Sequence, residues 1–197
     1  YSFFKKNKEI WNGVTIYRSN LILRGNGKAM NLILNYFSFA FSATIKLFFL
    51  KQKFDKIFIF APSPILIGIP GIIASKLFNA KSFLWIHDLW PESIKIAGGI
   101  KNKIILNLFD KITRSIYSYI NILLIQSNGF LAYLKNQGVN QNKIIYYPFY
   151  AESFYKQQEP NPKYLKKLPI GFNLIFAGNL GEGQSFPTLI LAAKKLQ

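Results

Sequence analysis

The chain's single histidine, His87, is followed at once by Asp88, and Trp90, Glu92 and Ser93 come close behind in the run WIHDLWPES. A histidine in such a place can act as general base, as hydrogen-bond donor or as an orienter of substrate. Asp88 can fix the imidazole tautomer or bind a sugar hydroxyl. Trp90 can stack on a sugar ring or pack in a core. Glu92 and Ser93 can cap a following helix whose first turn holds Pro91. With one histidine, no cysteine and eight carboxylate residues, a zinc site is not expected. No Gly-x-Ser-x-Gly stretch points to a serine hydrolase.

A second stretch, GNLGEGQS, holds Gly178, Asn179, Gly181, Gly183 and Gln184. Its glycines let the backbone turn tightly and approach a ligand. A helix after them would offer free N–H groups and a positive dipole end to a phosphate or pyrophosphate. Asn179 and Gln184 can add neutral hydrogen bonds. The spacing fits neither the phosphate loop ending in Gly-Lys-Ser/Thr nor Gly-x-Gly-x-x-Gly, and an ordinary strand-to-helix turn is the other reading.

Elements that place these residues can be read from periodicity. Residues 13–19 (GVTIYRS) alternate as a strand, and RGNGK (24–28) is a loop. The apolar run after it sets Asn31, Asn35, Ser38, Ser42 and Lys46 three or four apart, the stripe of a helix. The run is long enough to span a membrane. Its continuous polar stripe favours a helix buried in a core or lying in a membrane interface. KIFIFA is a buried strand, followed by a helix over 65–78 in which Gly68 and Gly71 indicate close packing and Pro70 a kink or a delayed start. SFLWI is the next strand and leads directly into His87. KNKIILNLFDKITRSIYSYI forms an amphipathic helix with Ile104, Ile105, Leu108, Phe109, Ile112, Ile116 and Tyr119 on one face. NILLIQ is a strand, Ser127 an N-cap, NGFLAYLKNQ a helix ended by Gly138, and KIIYYP a strand.

This alternation predicts an α/β fold with a parallel sheet covered on both faces, whose ligands sit beyond the carboxyl ends of the strands. Residues 1–150 form the first domain. Residues 151–168, polar and holding Pro160 and Pro162, read as a linker. Residues 169–197 restart strand, glycine loop and helix, as the opening of a second domain. The chain begins at Tyr1, has Met30 as its only methionine and shows no leader, so it is expected to be a fragment of a longer protein.

The net charge of +17 over 197 residues comes almost wholly from lysine, with arginine only at Arg18, Arg24 and Arg114. Scarce arginine and the lack of a consecutive basic block argue against nucleic acid as partner. Solvated surface accounts for most of the charge, and an anionic membrane face is its best functional use.

Taken in order, FLWIHDLWPES, IQSNGF, IIYYPFYAE and FNLIFAGNLGEGQSF resemble the family-four retaining glycosyltransferases of the GT-B fold. The resemblance covers nearly the whole chain and is nearest to bacterial surface-polysaccharide enzymes such as N-acetyl-L-fucosamine transferases. It implies two Rossmann-like domains, the first binding acceptor and the second the nucleotide sugar, here UDP-linked. His87 and Asp88 match the segment facing the transferred sugar and acceptor, with Trp90, Glu92 and Ser93 beside them. Ser127 matches a strand-end serine of the first domain. Gly178, Asn179, Gly181 and Gln184 match the loop facing the donor diphosphate. Many members carry an Arg and a Lys near that loop, and this chain does not. The family's two-glutamate motif would lie beyond Gln197. The resemblance further implies a lipid-linked saccharide acceptor, a cytoplasmic enzyme peripheral to the inner membrane face, and no cofactor or metal. A nucleotide-sugar epimerase of the same fold and a basic lipid- or nucleic-acid-binding module are the competing expectations.

Overall fold

Asn12 and Gly13 sit between two short β-branched and aromatic runs, and both adopt positive φ (47° and 81°). That is what a two-residue hairpin turn requires. Strands β1 (Lys8–Trp11) and β2 (Val14–Tyr17) accordingly pair antiparallel, with Trp11 opposite Val14. The periodicity of 13–19 predicts β2 and passes over β1. The computed structural model describes residues 8–25, 29–97, 100, 102–178, 180–181 and 184–196. Loop residues 26–28 lie outside that set. The chain divides into two units, Tyr1–Pro148 and Phe149–Gln197, two residues before the expected boundary.

The apolar run after the hairpin is helix α1 (Ala29–Leu47). Its polar stripe faces neither water nor core. It grips the extended segment 18–24 that precedes it. Ser38 Oγ accepts the Ile22 N–H at 2.9 Å, Ser42 donates to the Asn20 carbonyl, and Lys46 donates to the Arg18 carbonyl. Asn35 donates to the Ile22 carbonyl and accepts from Arg24 Nε at 3.1 Å. The match is geometric. Four helical residues rise about 6 Å and two extended residues about 6.6 Å, so stripe members meet every second residue of the segment. Among the described residues no helix is long and apolar enough to cross a membrane.

The central sheet has four parallel strands in the order β3 (Lys56–Ala61), β4 (Lys81–Ile86), β5 (Ile122–Ile125), β6 (Ile144–Tyr146). Register puts Ile59, Leu84, Leu123 and Ile144 side by side on one face, with Ile86 and Ile125 next along. This face carries the core. A 3-10 turn (Ile65–Ile67) runs directly into α2 (Gly68–Leu77). Pro70 falls in the first turn of α2, where its missing N–H is harmless, and the α-helix starts only at Gly68 after the 3-10 turn, which is the delayed start among the two expected effects. The close packing predicted at the glycines is present: a Cβ on Gly71 would lie 2.2 Å from Ile59 Cδ1, and one on Gly68 2.6 Å from Ile116 Cγ2.

Helix α3 (Glu92–Ala97) follows the site segment. Helix α4 (Lys103–Tyr119) is capped by Asn102, whose side chain accepts the N–H groups of Ile104 and Ile105 at 2.9 and 3.3 Å. Of the face read off the sequence, Phe109 and Ile116 are buried and Ile105 and Ile112 pack against the core, while Thr113 and Tyr117 extend the buried stripe on one side. Ile104, Leu108 and Tyr119 are exposed, because the apolar arc is wider than the arc that can reach the sheet. Helix α5 (Phe130–Asn136) ends in the reverse turn at Gly138.

The expectation of helices on both faces is met on one. Each strand from β3 to β6 is followed by its immediate neighbour on the same side. Right-handed crossovers of that kind place every connecting helix on the same face. On the other face Phe58 and Phe60 of β3 and Ile145 of β6 stay about half exposed.

In the second unit, Asn161 caps a short helix α6 (Pro162–Leu165) inside the predicted linker, and α7 (Phe186–Lys195) forms where a helix is expected. Residues 173–177 form no strand. A lone strand has no ladder to join, and its amides remain unpaired by sheet.

Candidate functional site

Register aligns the carboxyl ends of three adjacent strands at Ala61, Ile86 and Ile125. The residues just past those ends therefore share one rim: Ser63, His87 with Asp88, and Gln126 with Ser127. Local hydrogen bonds fix the rim. The His87 N–H donates to the Ala61 carbonyl at 3.4 Å, and Gln126 Nε2 donates to the His87 carbonyl at 2.8 Å. The Ser63 side chain hydrogen-bonds the Asp88 carboxylate.

Alternation along β4 carries Trp85 and His87 to the sheet face opposite the core. There the imidazole stands edge-on to Phe60 and Trp85, with ring centroids 4.7 and 4.4 Å away. Trp85 is itself held by Tyr147, through its indole N–H to the Tyr147 carbonyl at 3.1 Å and through the two rings. This apolar packing strips water from His87 and lowers its pKa, while the charge of Asp88 pulls the other way. Asp88 is pushed up by desolvation, against the opposing effects of His87 and the Ser63 hydrogen bond. At neutral pH the imidazole is uncharged, able to accept a proton at one nitrogen while donating from the other.

The other residues singled out in WIHDLWPES have structural partners. Trp90 is buried in the core, its ring against Phe109 at 5.5 Å and Tyr36 at 6.3 Å. It cannot stack on a sugar, because its faces are covered by α4 and α1. Glu92 is engaged by Tyr133, whose hydroxyl lies 2.6 Å from both the Glu92 carboxylate and the Trp90 carbonyl and accepts from Gln137 at 2.9 Å. Burial, and then Glu92, raises the Tyr133 pKa, so the phenol stays protonated. Ser93 donates back to the Leu89 carbonyl at 2.9 Å, within the turn that opens α3. Ser127 Oγ accepts the Gly129 N–H at 3.2 Å, but it is not the N-cap expected from the sequence: α5 begins two residues later than that placement requires, with Gly129 as its N-cap and no side-chain cap bond.

No protein-family model matches this chain, and no curated protein matches it. The site is thus read from its own chemistry. Ser63 and Gln126 belong to it and are not apparent from local sequence, since only strand register brings them to His87. The sole signal was their shared position just after an apolar strand. Gly178, Gly181 and Gln184 lie in the second unit, where the Gln184 N–H closes a turn on the Gly181 carbonyl at 3.2 Å. Asn179 and Gly183 fall outside the described residues. Among the described residues no group of three or more His, Asp or Glu stands together as a metal site.

Proposed function

We propose that the chain is part of a retaining glycosyltransferase of the GT-B type, moving a sugar from a UDP-linked donor to a lipid-linked saccharide at the cytoplasmic face of a membrane. One observation carries the reading: a neutral His87 and a partly desolvated Asp88, set at the carboxyl end of an interior parallel strand. Such a rim is where open parallel sheets bind ligands. Its chemistry suits sugar hydroxyls, with Asp88, Ser63 and Gln126 as polar groups around an aromatic floor of Phe60 and Trp85. In this reading His87 hydrogen-bonds and polarises the acceptor hydroxyl, and the leaving diphosphate takes its proton on the same face of the sugar. The resemblance of the glycine-rich stretch to a diphosphate loop supports the donor assignment, with Gly178, Gly181 and Gln184 offering backbone and amide contacts. Expected sugars are N-acetylated hexosamines or deoxyhexosamines.

The test is UDP release by the complete gene product, given membranes and a panel of UDP-sugars including N-acetylated 6-deoxyhexosamines. Release should require membranes, and His87→Ala should lower kcat by about a hundredfold or more, the range for loss of a positioned acid–base group. Donor-independent silence of folded protein, or unchanged turnover in His87→Ala, overturns the reading.

A further inference from the structure

Helix α1 carries a surface that the sugar-transfer rim does not use. Met30, Leu34, Phe37, Phe41, Ile45 and, just past its end, Phe48 recur at intervals of three and four, and each is between 43% and 69% exposed. The outward arc of a surface helix is normally polar. Here the polar residues lie on a neighbouring arc and are tied to segment 18–24. The outward arc is left wholly apolar over roughly 27 Å of helix. Leu21, Ile22 and Leu23 in the gripped segment are exposed as well, as is Trp11 beside the hairpin turn.

We infer that this arc lies in the plane of an anionic lipid surface, with Phe37, Phe41 and Phe48 at the headgroup–acyl boundary. Charge selects the occupant. Residues 1–56 hold ten Lys or Arg against two Asp or Glu, and Lys51 and Lys53 follow directly on the helix end. Acidic headgroups complement that excess. A second copy placed face to face would set the same cations against each other. An exposed apolar patch of this extent in water marks a docking surface, and α1 cannot span the bilayer instead. The inference rests on the proposed membrane setting and names the surface that holds the protein there. Its test reads binding without turnover, so either can fail while the other stands.

The experiment is co-flotation of the chain with vesicles of phosphatidylcholine alone and of phosphatidylcholine mixed equally with phosphatidylglycerol. The chain should partition to the mixed vesicles, less so at high salt. Phe37→Gln with Phe41→Gln should lower partitioning about tenfold or more, as should Lys51→Glu with Lys53→Glu. These positions are exposed, and circular dichroism checks the fold. Because the chain has no cysteine, a polarity-sensitive dye can be placed by Phe41→Cys, or by Lys135→Cys on α5 as control. Only the dye at position 41 should shift to the blue on mixed vesicles. The inference is overturned if the parent does not bind. It is equally overturned if binding persists in the phenylalanine variant with a silent dye at 41, which is adsorption by charge alone. Self-association without vesicles that the phenylalanine variant abolishes would assign the arc to a second copy.

Discussion

His87 is the only imidazole in the chain, so its titration can be followed without assignment. Desolvation among Phe60 and Trp85 should hold its pKa below the ordinary value near 6.5. Asp88→Asn removes the charge that raises it, so the pKa should fall further in that variant. Proton NMR across the acidic range checks both, and a value at or above about 6.5 in the parent would contradict the packing. The sign for stability follows. A depressed histidine pKa means the unfolded chain binds the proton first as pH falls. The contribution is complete above about pH 6.5 and is lost on acidification below it. Denaturant midpoints should therefore decline below that pH less steeply in His87→Gln than in the parent. His87 and Asp88 were legible because an apolar strand ends in them abruptly. Ser63 and Gln126 were not, since register between strands is not written in either strand alone. Trp90 is ambiguous in the sequence for a physical reason: the same ring serves a sugar or a core, and only its burial against Phe109 and Tyr36 decides.

At the level of elements, periodicity located the helices better than it oriented them. The core-facing arc of α4 shares Ile105, Phe109, Ile112 and Ile116 with the expected face but is turned slightly, because Thr113 and Tyr117, polar by type, pack inward while Ile104 and Leu108 do not. The polar stripe of α1 is legible in its spacing, yet its partner, the extended backbone of 18–24, leaves no mark on the helix sequence. The glycines of α2 were the most informative single residues, because the lack of a side chain matters only where something else fills the space. Gly71→Ala forces Ile59, itself buried, out of position. It should destabilise the first unit by about 1–3 kcal/mol, the range for overpacking a core. Asn102→Ala removes the cap of α4 and should cost about 1 kcal/mol. Thermal unfolding measures both, at about 2–4 °C per kcal/mol for a unit of this size. An unchanged midpoint in Gly71→Ala would show that α2 and β3 do not approach as closely as described.

Over the whole molecule, the first unit has a core, and among the described residues the second has none. Leu66, Leu84, Ile86, Leu123, Ile125 and Leu134 are essentially sealed from solvent, whereas no described residue from 149 to 196 is buried. The apolar run at 173–177 reads as a restarted strand, but without a neighbouring strand it stays largely exposed, with the Phe176 ring set against Phe186 at 4.9 Å. Helix α7, at ten residues, is shorter than the twelve to fifteen or so that an isolated helix needs in water, so it depends on packing for its stability. Hydrogen exchange should divide the chain accordingly. Amides of β4 and β5 should show the greatest protection and exchange only on global unfolding of the first unit. Those of 174–177 should exchange almost as fast as in an unstructured peptide, with α7 only slightly slower. Protection at 174–177 equal to that in β4 would mean that the run has found a sheet to join. Protection that rises with protein concentration would assign that sheet to another copy of the chain. Protection independent of concentration would place the pairing within a single chain and contradict the exposure of this run.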